Sequence, residues 1–398
     1  MAITNAGARS GTDSTAPPYS PQTASDLYQE YDRLRPDSAV VHSDDFGGFW
    51  SVLAFADASK VSRDWKSFAS GRPFVEYPSP NRPIPIATNP PEHTYYRTFL
   101  NKYFRPDRVT ALAPEIERLV TEQLTPLIEA GEGDIYRSVA RTVPPQVLAT
   151  LLGLSAQDWV ELAAALDRAD ALRHDIPAFG ALQATLWDDA VMSLITERTK
   201  NPRDPEHDIM SGILELRPDG EPISHAQAMS IGTQIFAAGA DTTSSAMGSL
   251  AHYLATNPDD QQRLRAEPDL LPAAIEEVLR MGPPLHQTVR CTTAEVDIAG
   301  TRVPENALVA INVASANRDP ERFTEPHRVR LDRDRNPHLT FGFGPHMCVG
   351  APIARQELLA FGRQLLAGTR MITLAEPAVT SGRALRTGWS SIRVRIER

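Results

Sequence analysis

The sequence predicts a mainly α-helical protein with smaller β-sheets, an α+β fold, on three observations. Apolar residues recur at helical spacing through the middle of the chain. Runs of β-branched and aromatic residues, which favour strands, occur at 40–54, at 289–312 and in the C-terminal tail. Helix-ending residues separate the periodic segments, as at Asn257-Pro258 and Gly282-Pro283. The segments with helical periodicity are 93–104, 109–130, 136–152, 156–173, 178–200, 224–257, 271–281 and 353–367.

Composition and charge narrow the class of protein. The chain has 398 residues, 41% of them hydrophobic, and a formal net charge of -10, which argues against a nucleic-acid-binding protein. No apolar run approaches the roughly 18 residues of a membrane helix, so we expect a soluble protein with no membrane partner. Two cysteines, Cys291 and Cys348, give no disulfide framework and fit a reducing, cytoplasmic location. Residues 1–23 are typical of a flexible arm, and no linker divides 24–398, which predicts a single domain there.

One stretch late in the chain combines a cysteine with two glycine-bearing turns. It reads Phe341-Gly-Phe-Gly-Pro-His-Met-Cys348-Val-Gly350, and Ala354-Arg355 follows one turn into a predicted helix. N–H groups at a helix start and the helix dipole favour a thiolate at such a position. A thiolate is one of the axial ligands that haem iron accepts. A cysteine by itself is more often an inert buried residue, so the prediction depends on the surrounding pattern.

This pattern resembles the haem-binding loop of the cytochrome P-450 family, in its soluble bacterial form. The resemblance extends from about residue 26 to the C-terminus. It implies a cytochrome P-450 fold, with haem b (iron protoporphyrin IX) between the long helix at 224–257 and the helix that follows residues 341–350. We call residues 341–350 the Cys loop. It also implies that Cys348 is the axial ligand of the iron. Other haem contacts implied by the resemblance are Ala238, Phe341, Gly342 and Gly350.

A second motif, Ala238-Gly-Ala-Asp241-Thr242-Thr243, lies inside the predicted helix at 224–257. Gly is costly in a helix interior, and Thr competes for backbone carbonyls, so we expect a local distortion there. The family resemblance implies that Thr242 hydrogen-bonds dioxygen and that Asp241 relays protons. The alternative is that the Thr242 hydroxyl bonds to its own helical turn while Asp241 is solvated.

Charged residues form two further groups that match the family. Glu277 and Arg280 lie three residues apart on one helix face, and alone they would be read as a surface ion pair. By resemblance they form a buried structural pair, with Arg333 as third partner and Arg330 as the alternative. Anionic haem propionates require cationic donors. The family pattern gives four of them, His93, Arg97, Arg290 and His346.

The function implied is that of a haem-thiolate monooxygenase, which inserts one oxygen atom of dioxygen into a C–H bond by hydroxylation. We expect a small or medium apolar substrate, such as a terpenoid, a steroid-like or an aromatic molecule. The pocket residues implied by resemblance are Phe74, Ile84, Phe179, Ala238, Leu285 and Val289, with Arg82, His286 and Gln287 as polar anchors. No flavin or iron–sulfur segment is recognisable, so electrons are expected from a separate ferredoxin and a reductase that uses NAD(P)H. The Cys-loop face would dock the ferredoxin through Arg97, Arg105, Arg355 and Arg363.

Three other functions fit parts of the sequence. A peroxide-driven haem-thiolate enzyme would need no redox partner, but it would also have no use for the Asp241-Thr242 pair. A haem-thiolate sensor would bind the cofactor without catalysis. A protein without haem would use Cys348 as a structural residue only.

Overall fold

A computed structural model describes residues 3–4, 24–75, 82–170, 176–381 and 385–398. Helices and small sheets alternate along the chain, which confirms the predicted α+β class. The helices are α1 (Ala24–Leu34), α2 (Phe55–Arg63), α3 (Glu92–Asn101), α4 (Pro106–Ala130), α5 (Val143–Leu152), α6 (Ala156–Asp170), α7 (Ile176–Lys200), α8 (Ile209–Leu214), α9 (His225–Thr256), α10 (Pro258–Ala266), α11 (Leu271–Met281), α12 (Val313–Ala316) and α13 (Ala351–Gly368).

Within the described residues, the strands group into four sheets. They are β1 (Ile3–Thr4), β2 (Val40–Ser43), β3 (Phe49–Val52), β4 (Phe68–Ala69), β5 (Glu132–Asp134), β6 (Gln287–Thr292), β7 (Val296–Ile298), β8 (Thr301–Val303), β9 (Leu308–Asn312), β10 (Met371–Leu374), β11 (Val379–Thr380), β12 (Trp389–Ser391) and β13 (Arg393–Glu397). The largest sheet has the order β1-β2-β3-β9-β6-β4, in which only the β3–β9 pair is parallel. The others are β10-β13-β5, β11-β12 and β7-β8.

Helix α9 is the centre of the helical part of the molecule. It packs against α5, α7, α11 and α13, and α13 in turn packs against α4. A capping box at Ser224 and Gln227 fixes its first residue, since each side chain bonds to a backbone N–H of the other. This packing holds the Asp241-Thr242 segment of α9 and the Cys348 end of α13 in fixed relation to one core.

Two features differ from the sequence-based expectation. The segment 136–152 is not one helix: Tyr136–Ala140 forms a π-turn and α5 begins only at Val143, with Pro144 in its first turn. Proline has no N–H to donate and clashes with the preceding turn, so it starts a helix rather than continuing one. Within 1–23, Ile3 and Thr4 pair with β2, and the other residues of the expected arm lie outside the described part.

Among the described residues, no helix has the combination of length and apolar character needed to cross a membrane.

Candidate active site

Cys348 lies two residues before Gly350, which immediately precedes α13. The Cys348 N–H donates to the carbonyl of Phe341 at 2.7 Å and closes the loop. Burial raises the pKa of the Cys348 thiol, against the opposing effects of the Gly350 and Ala351 N–H groups and of Arg97. The Cys348 side chain is nevertheless exposed. A bound metal ion would reverse this balance, because a coordinating thiol loses its proton.

The shape of the Cys loop depends on two glycines with left-handed backbone angles. Gly342 and Gly344 both have φ of +73°, which a side chain would make strained. A Cβ at Gly344 would also lie 2.7 Å from the carbonyl oxygen of Ser62 in α2, closer than real contacts allow. The loop is therefore fixed against α2 by backbone-to-backbone packing.

A cluster of four basic side chains lies beside the Cys loop. The rings of His93 and His346 have centroids 4.1 Å apart. Burial, together with the charges of Arg97 and Arg290, lowers the pKa of His93 to about 4 and that of His346 to about 3. Burial also lowers the pKa of Arg290 to about 10. His93, Arg97, Arg290 and His346 are far apart in the sequence, and the fold brings all four together.

Within the described residues, none of the four pairs with a carboxylate. Arg97 donates to the Asn101 amide oxygen at 2.9 Å, and Arg290 donates to the carbonyl of Val289 at 2.8 Å. His93 is buried, with its Nε2 atom lacking any hydrogen-bond partner in the described part of the chain. Buried positive groups without an internal counter-charge are suited to an anionic ligand.

Glu277 on α11 and Arg280 are fully buried and joined by two hydrogen bonds of 2.7 and 3.0 Å. Arg333 donates to the same carboxylate at 2.7 Å, whereas Arg330 reaches it only through its backbone N–H, at 2.9 Å. The Arg330 side chain lies nearer Glu325 and Asp332. Of the two candidates from sequence, Arg333 is the one whose guanidinium contacts Glu277.

The Asp241-Thr242 segment is an uninterrupted part of α9, so the expected local distortion of the helix is not found. The Thr242 hydroxyl donates to the carbonyl of Ala238 at 2.8 Å, which keeps it within the helix's own hydrogen-bonding pattern. Ala238 and its neighbour Ala237 are exposed although they lie in the middle of a buried helix. An opening lined by methyl groups is thus present on α9 directly before Asp241 and Thr242, which we call the acid–alcohol pair.

A small cavity of about 30 Å³ adjoins the acid–alcohol pair, with room for one or two water molecules. Its walls combine polar and apolar surface, and its described lining residues include one carboxylate and one guanidinium. Its lining residues are Tyr136, Asp241, Thr242, Ser245, Pro284, Leu285, Ser381, Arg386, Thr387, Gly388 and Trp389. The cavity joins α9 to the segments around Leu285 and Arg386.

The remaining pocket residues expected from sequence fall into three groups. Leu285 lines the cavity, and the ring of Phe74 lies 4.6 Å below the guanidinium of Arg386. Ile84 and Val289 are only 7% and 1% exposed and pack in apolar cores, Val289 among Leu27, Tyr31 and other core residues. Val289 therefore lies inside the core behind the sheet, not on a pocket surface. The side chain of Phe179 is outside the described residues.

The polar anchors also lie differently from expectation. Arg82 is exposed and bonds to Glu92, at 3.3 Å, and to the carbonyl of Ala87, so it does not serve a pocket. His286 is fully buried, with Nε2 3.1 Å from the Thr387 hydroxyl. Gln287 is buried, and neither end of its amide has a partner among the residues described. Arg386, which the sequence did not indicate through any local motif, lines the same cavity as Asp241 and Thr242.

The four arginines expected on the Cys-loop face differ in availability. Arg355 is held by Glu276 through bonds of 2.7 and 2.8 Å and lies over the Phe341 ring at 4.3 Å. Arg105 is exposed and pairs with Asp107, Arg97 belongs to the basic cluster, and Arg363 is exposed on α13.

The Cys loop precedes a helix, the basic cluster has no carboxylate partner among the described residues, and Asp241 and Thr242 lie on a central helix. These features are the ones expected of a haem-thiolate oxidoreductase. The chain belongs to the cytochrome P450 family and is a hydroxylating monooxygenase that uses haem iron and dioxygen. The family model described as Cytochrome P450 matches residues 181–370.

Individual relatives agree with this assignment. The chain is 30% identical over 355 residues to the cytochrome P450 monooxygenase PikC of Streptomyces venezuelae, covering 86% of this chain and 84% of that one. It is 30% identical over 326 residues to the vitamin D(3) 25-hydroxylase of Pseudonocardia autotrophica, covering 80% of each. The structure of the cytochrome P450 CYP109Q5 from Chondromyces apiculatus superposes with a TM-score of 0.84 at 27% identity, covering 95% of this chain and 97% of the other.

Proposed function

We propose that this monooxygenase hydroxylates a small or medium apolar molecule, such as a terpenoid, steroid-like or aromatic compound, with electrons from a separate ferredoxin and an NAD(P)H-dependent reductase. The observation that carries the proposal is the open Cys348 side chain beside four basic residues that have no carboxylate partner in the described part of the chain. The hydroxylase and monooxygenase names of the relatives support the reaction class.

The residues present fit a haem group. Cys348 would hold the iron, and the N–H groups of Gly350 and Ala351 would stabilise its thiolate. The surplus of positive charge at Arg97 and Arg290, with the unpartnered Nε2 of His93, would receive the two propionates. The bound haem would supply the activation of dioxygen, with the thiolate favouring O–O cleavage.

The residues on α9 would handle protons. The Thr242 hydroxyl bonds to Ala238 in this conformation, so rotation about its Cα–Cβ bond frees it to donate to a ligand over the exposed alanines. Asp241 lines a cavity large enough for water, and a carboxylate in contact with water can pass protons to an adjacent hydroxyl. This arrangement gives the pair a role in oxygen activation that a peroxide-driven enzyme would not need.

The ferredoxin would dock where electrons reach Cys348 over the shortest path. Two large apolar residues of the Cys loop, Phe343 and Met347, are 38% and 50% exposed. The guanidinium of Arg63 lies 5.0 Å from the Phe343 ring centroid, and Arg363 is exposed on α13. An exposed apolar centre with basic residues around it suits a small acidic protein.

Replacing Cys348 with Ser tests the ligand assignment. The reduced carbon monoxide complex of the unsubstituted protein is expected to show the long-wavelength Soret band of thiolate ligation, and Cys348→Ser is expected to lose it. Cys291, on β6 and partly buried, is the other cysteine of the chain, and Cys291→Ser is the matched control. The ligand assignment fails if the band survives in Cys348→Ser or disappears in Cys291→Ser.

Replacing Arg290 with Gln tests the propionate assignment. A charge-assisted hydrogen bond contributes about 1.5–3 kcal/mol, so haem should leave the variant roughly 10- to 100-fold faster. Haem release is measured by transfer to an excess of a haem-free globin. Arg302, exposed on β8 with a 3.9 Å contact to Glu295, provides the control Arg302→Gln. Equal release rates from the two variants would remove Arg290 from the haem site.

A further inference from the structure

We propose that Glu276 and Arg355 together set the reduction potential of the bound haem, because Glu276 neutralises the positive charge that Arg355 brings to the Cys loop. The proposal rests on the ligand role of Cys348 proposed above and adds two residues that act on the iron through it. Glu276 lies outside the motifs identified in the sequence, and Arg355 was expected there to contact the ferredoxin.

Three hydrogen bonds fix the Glu276 carboxylate. Arg355 donates to both of its oxygens, at 2.7 and 2.8 Å, and the Nε2 atom of His338 lies 3.1 Å from one of them. Burial acts to raise the pKa of Glu276, but the hydrogen bonds from Arg355 and His338 outweigh this effect and lower it to about 2. Glu276 is therefore ionised at neutral pH, and the two-point bond holds the guanidinium in one orientation.

His338 contributes a donor to this cluster without adding charge. Its Nδ1 atom accepts a hydrogen bond from the Thr340 N–H at 3.2 Å, so the ring proton lies on Nε2 and points at Glu276. The His338 side chain is only 2% exposed, which keeps this bond away from water. The cluster therefore contains one negative and one positive charge, and these compensate each other.

Arg355 is held against the loop that carries the thiolate. Helix α13 begins at Ala351, and Arg355 lies four residues later on the same face of the helix. The guanidinium carbon is 4.3 Å from the centroid of the Phe341 ring, within the range of a cation–π contact. The carbonyl of Phe341 in turn accepts from the Cys348 N–H at 2.7 Å. The position of the charge is thus fixed relative to Cys348.

The charges of Arg355 and Cys348 act on each other. Burial raises the pKa of the Cys348 thiol, and the charge of Arg355 acts in the opposite direction. The hydrogen bond to Glu276 is the main effect that raises the pKa of Arg355, and the charge of Cys348 acts in the same direction. The thiolate and the Glu276 carboxylate therefore share one cation, and the carboxylate reduces the positive potential that the thiolate experiences.

This balance has a consequence for the iron. Reduction from the ferric to the ferrous state adds one electron, so a positive charge beside the axial ligand stabilises the reduced state and raises the potential. Removing the charge of Glu276 leaves an uncompensated positive charge beside Cys348, and removing that of Arg355 leaves an uncompensated negative one. The intact pair holds the potential between these two limits.

The test is a redox titration of the haem-loaded protein at neutral pH, followed by the Soret band. Glu276→Gln should raise the equilibrium constant for reduction, and Arg355→Gln should lower it, each by a factor of about 3 to 10, or about 30 to 60 mV for one electron. Solvent screening sets this modest range, since the Arg355 side chain is 45% exposed. The double variant Glu276→Gln/Arg355→Gln should return close to the unsubstituted value.

Controls separate charge from structure. Arg263 and Glu267 form an exposed pair 3.3 Å apart, and Arg263→Gln and Glu267→Gln make the same charge changes there without moving the potential. Arg355→Lys keeps the charge but loses the two-point bond, so it should shift the potential less than Arg355→Gln. Each sample is also reduced and mixed with carbon monoxide, which reports thiolate ligation separately from the potential.

The outcomes distinguish this proposal from the proposed function. Shifts of both single variants in the same direction, shifts no larger than those of the controls, or a double variant that fails to return overturns the role of the pair, while a normal carbon monoxide band leaves the haem-thiolate function standing. Loss of the long-wavelength band in both single variants also overturns it, since the pair would then only support the loop. If one variant loses the band, the sign of the shift in the other decides. Absence of the band in the unsubstituted protein overturns the proposed function itself.

Discussion

Glu277→Gln should lower the free energy of unfolding by about 3–5 kcal/mol, because it leaves buried positive charge without its counter-charge. The Glu277 carboxylate accepts five hydrogen bonds and is fully buried. Burial acts to raise its pKa, but hydrogen bonds from Arg280 and the charge of that guanidinium outweigh this effect, and the pKa lies below its usual range. The amide has the same shape but no charge, and its NH2 group would face donors of Arg280 and Arg333.

The loss of stability should extend to the Cys loop, because the Glu277–Arg280 pair fixes the segment that precedes this loop. Arg280 also donates to the carbonyls of Asn317, Pro326 and Arg328. The Asn317 amide oxygen accepts from the Leu339 N–H at 2.7 Å, two residues before the loop begins at Phe341. A weakened pair should therefore release haem faster as well as unfold at lower denaturant concentration.

Urea unfolding of the haem-loaded protein measures the expected loss. Glu267, exposed and 3.3 Å from Arg263, provides Glu267→Gln as a control with the same chemistry at the surface. This control should change the free energy of unfolding by less than about 1 kcal/mol. A loss of similar size in both variants would mean that the buried position of Glu277 adds nothing to the stability of the fold.

Sequence periodicity was sufficient to predict the bounds of the helices around the site. The segment 271–281 was predicted with the observed bounds of α11, and 224–257 differs from α9 only by its two capping residues. Both helices have strong boundary signals. The capping box at Ser224 marks the start of α9, and the prolines after Asn257 and Gly282 mark the ends of α9 and α11. Tertiary packing determines where the shorter elements form. Helix α2 was not predicted, and its position is fixed by contacts with the sheet and the Cys loop.

The groups that contact a given side chain could be predicted only where the family pattern indicated them. The identity of a residue does not tell what covers it, so Val289 could equally face a pocket or the core, and the fold buries it. Arg82 and Arg386 are both arginines near pocket segments, yet one pairs with Glu92 at the surface while the other lines the cavity. The difference arises from the bridge between Leu285 and Arg386, a contact across about a hundred residues that no local pattern contains.

Glu357→Gln should make the stability of the protein less dependent on pH. Glu357 lies on α13, only 3% exposed, and its Oε2 atom has no hydrogen-bond partner in the described part of the chain. Burial raises its pKa from 4.5 to about 8, so the folded protein keeps this proton at neutral pH.

The sign of the effect follows from proton binding in the two states. Between pH 4.5 and about 8 the folded protein holds a proton at Glu357 that the unfolded chain has lost. The free energy of unfolding therefore falls as pH rises through this range, by up to about 1.4 kcal/mol per pH unit from this group, and levels off above it. The amide variant lacks this contribution, so its advantage over the unsubstituted protein should grow with pH.

Urea unfolding at about pH 5, 6.5 and 8 measures this difference directly. Glu357→Gln and the unsubstituted protein should have similar stability at the lowest pH, and the variant should be more stable by several kcal/mol at the highest. Glu267→Gln, exposed in both states, should follow the unsubstituted protein throughout. Parallel curves for Glu357→Gln would mean that Glu357 is ionised in the folded protein.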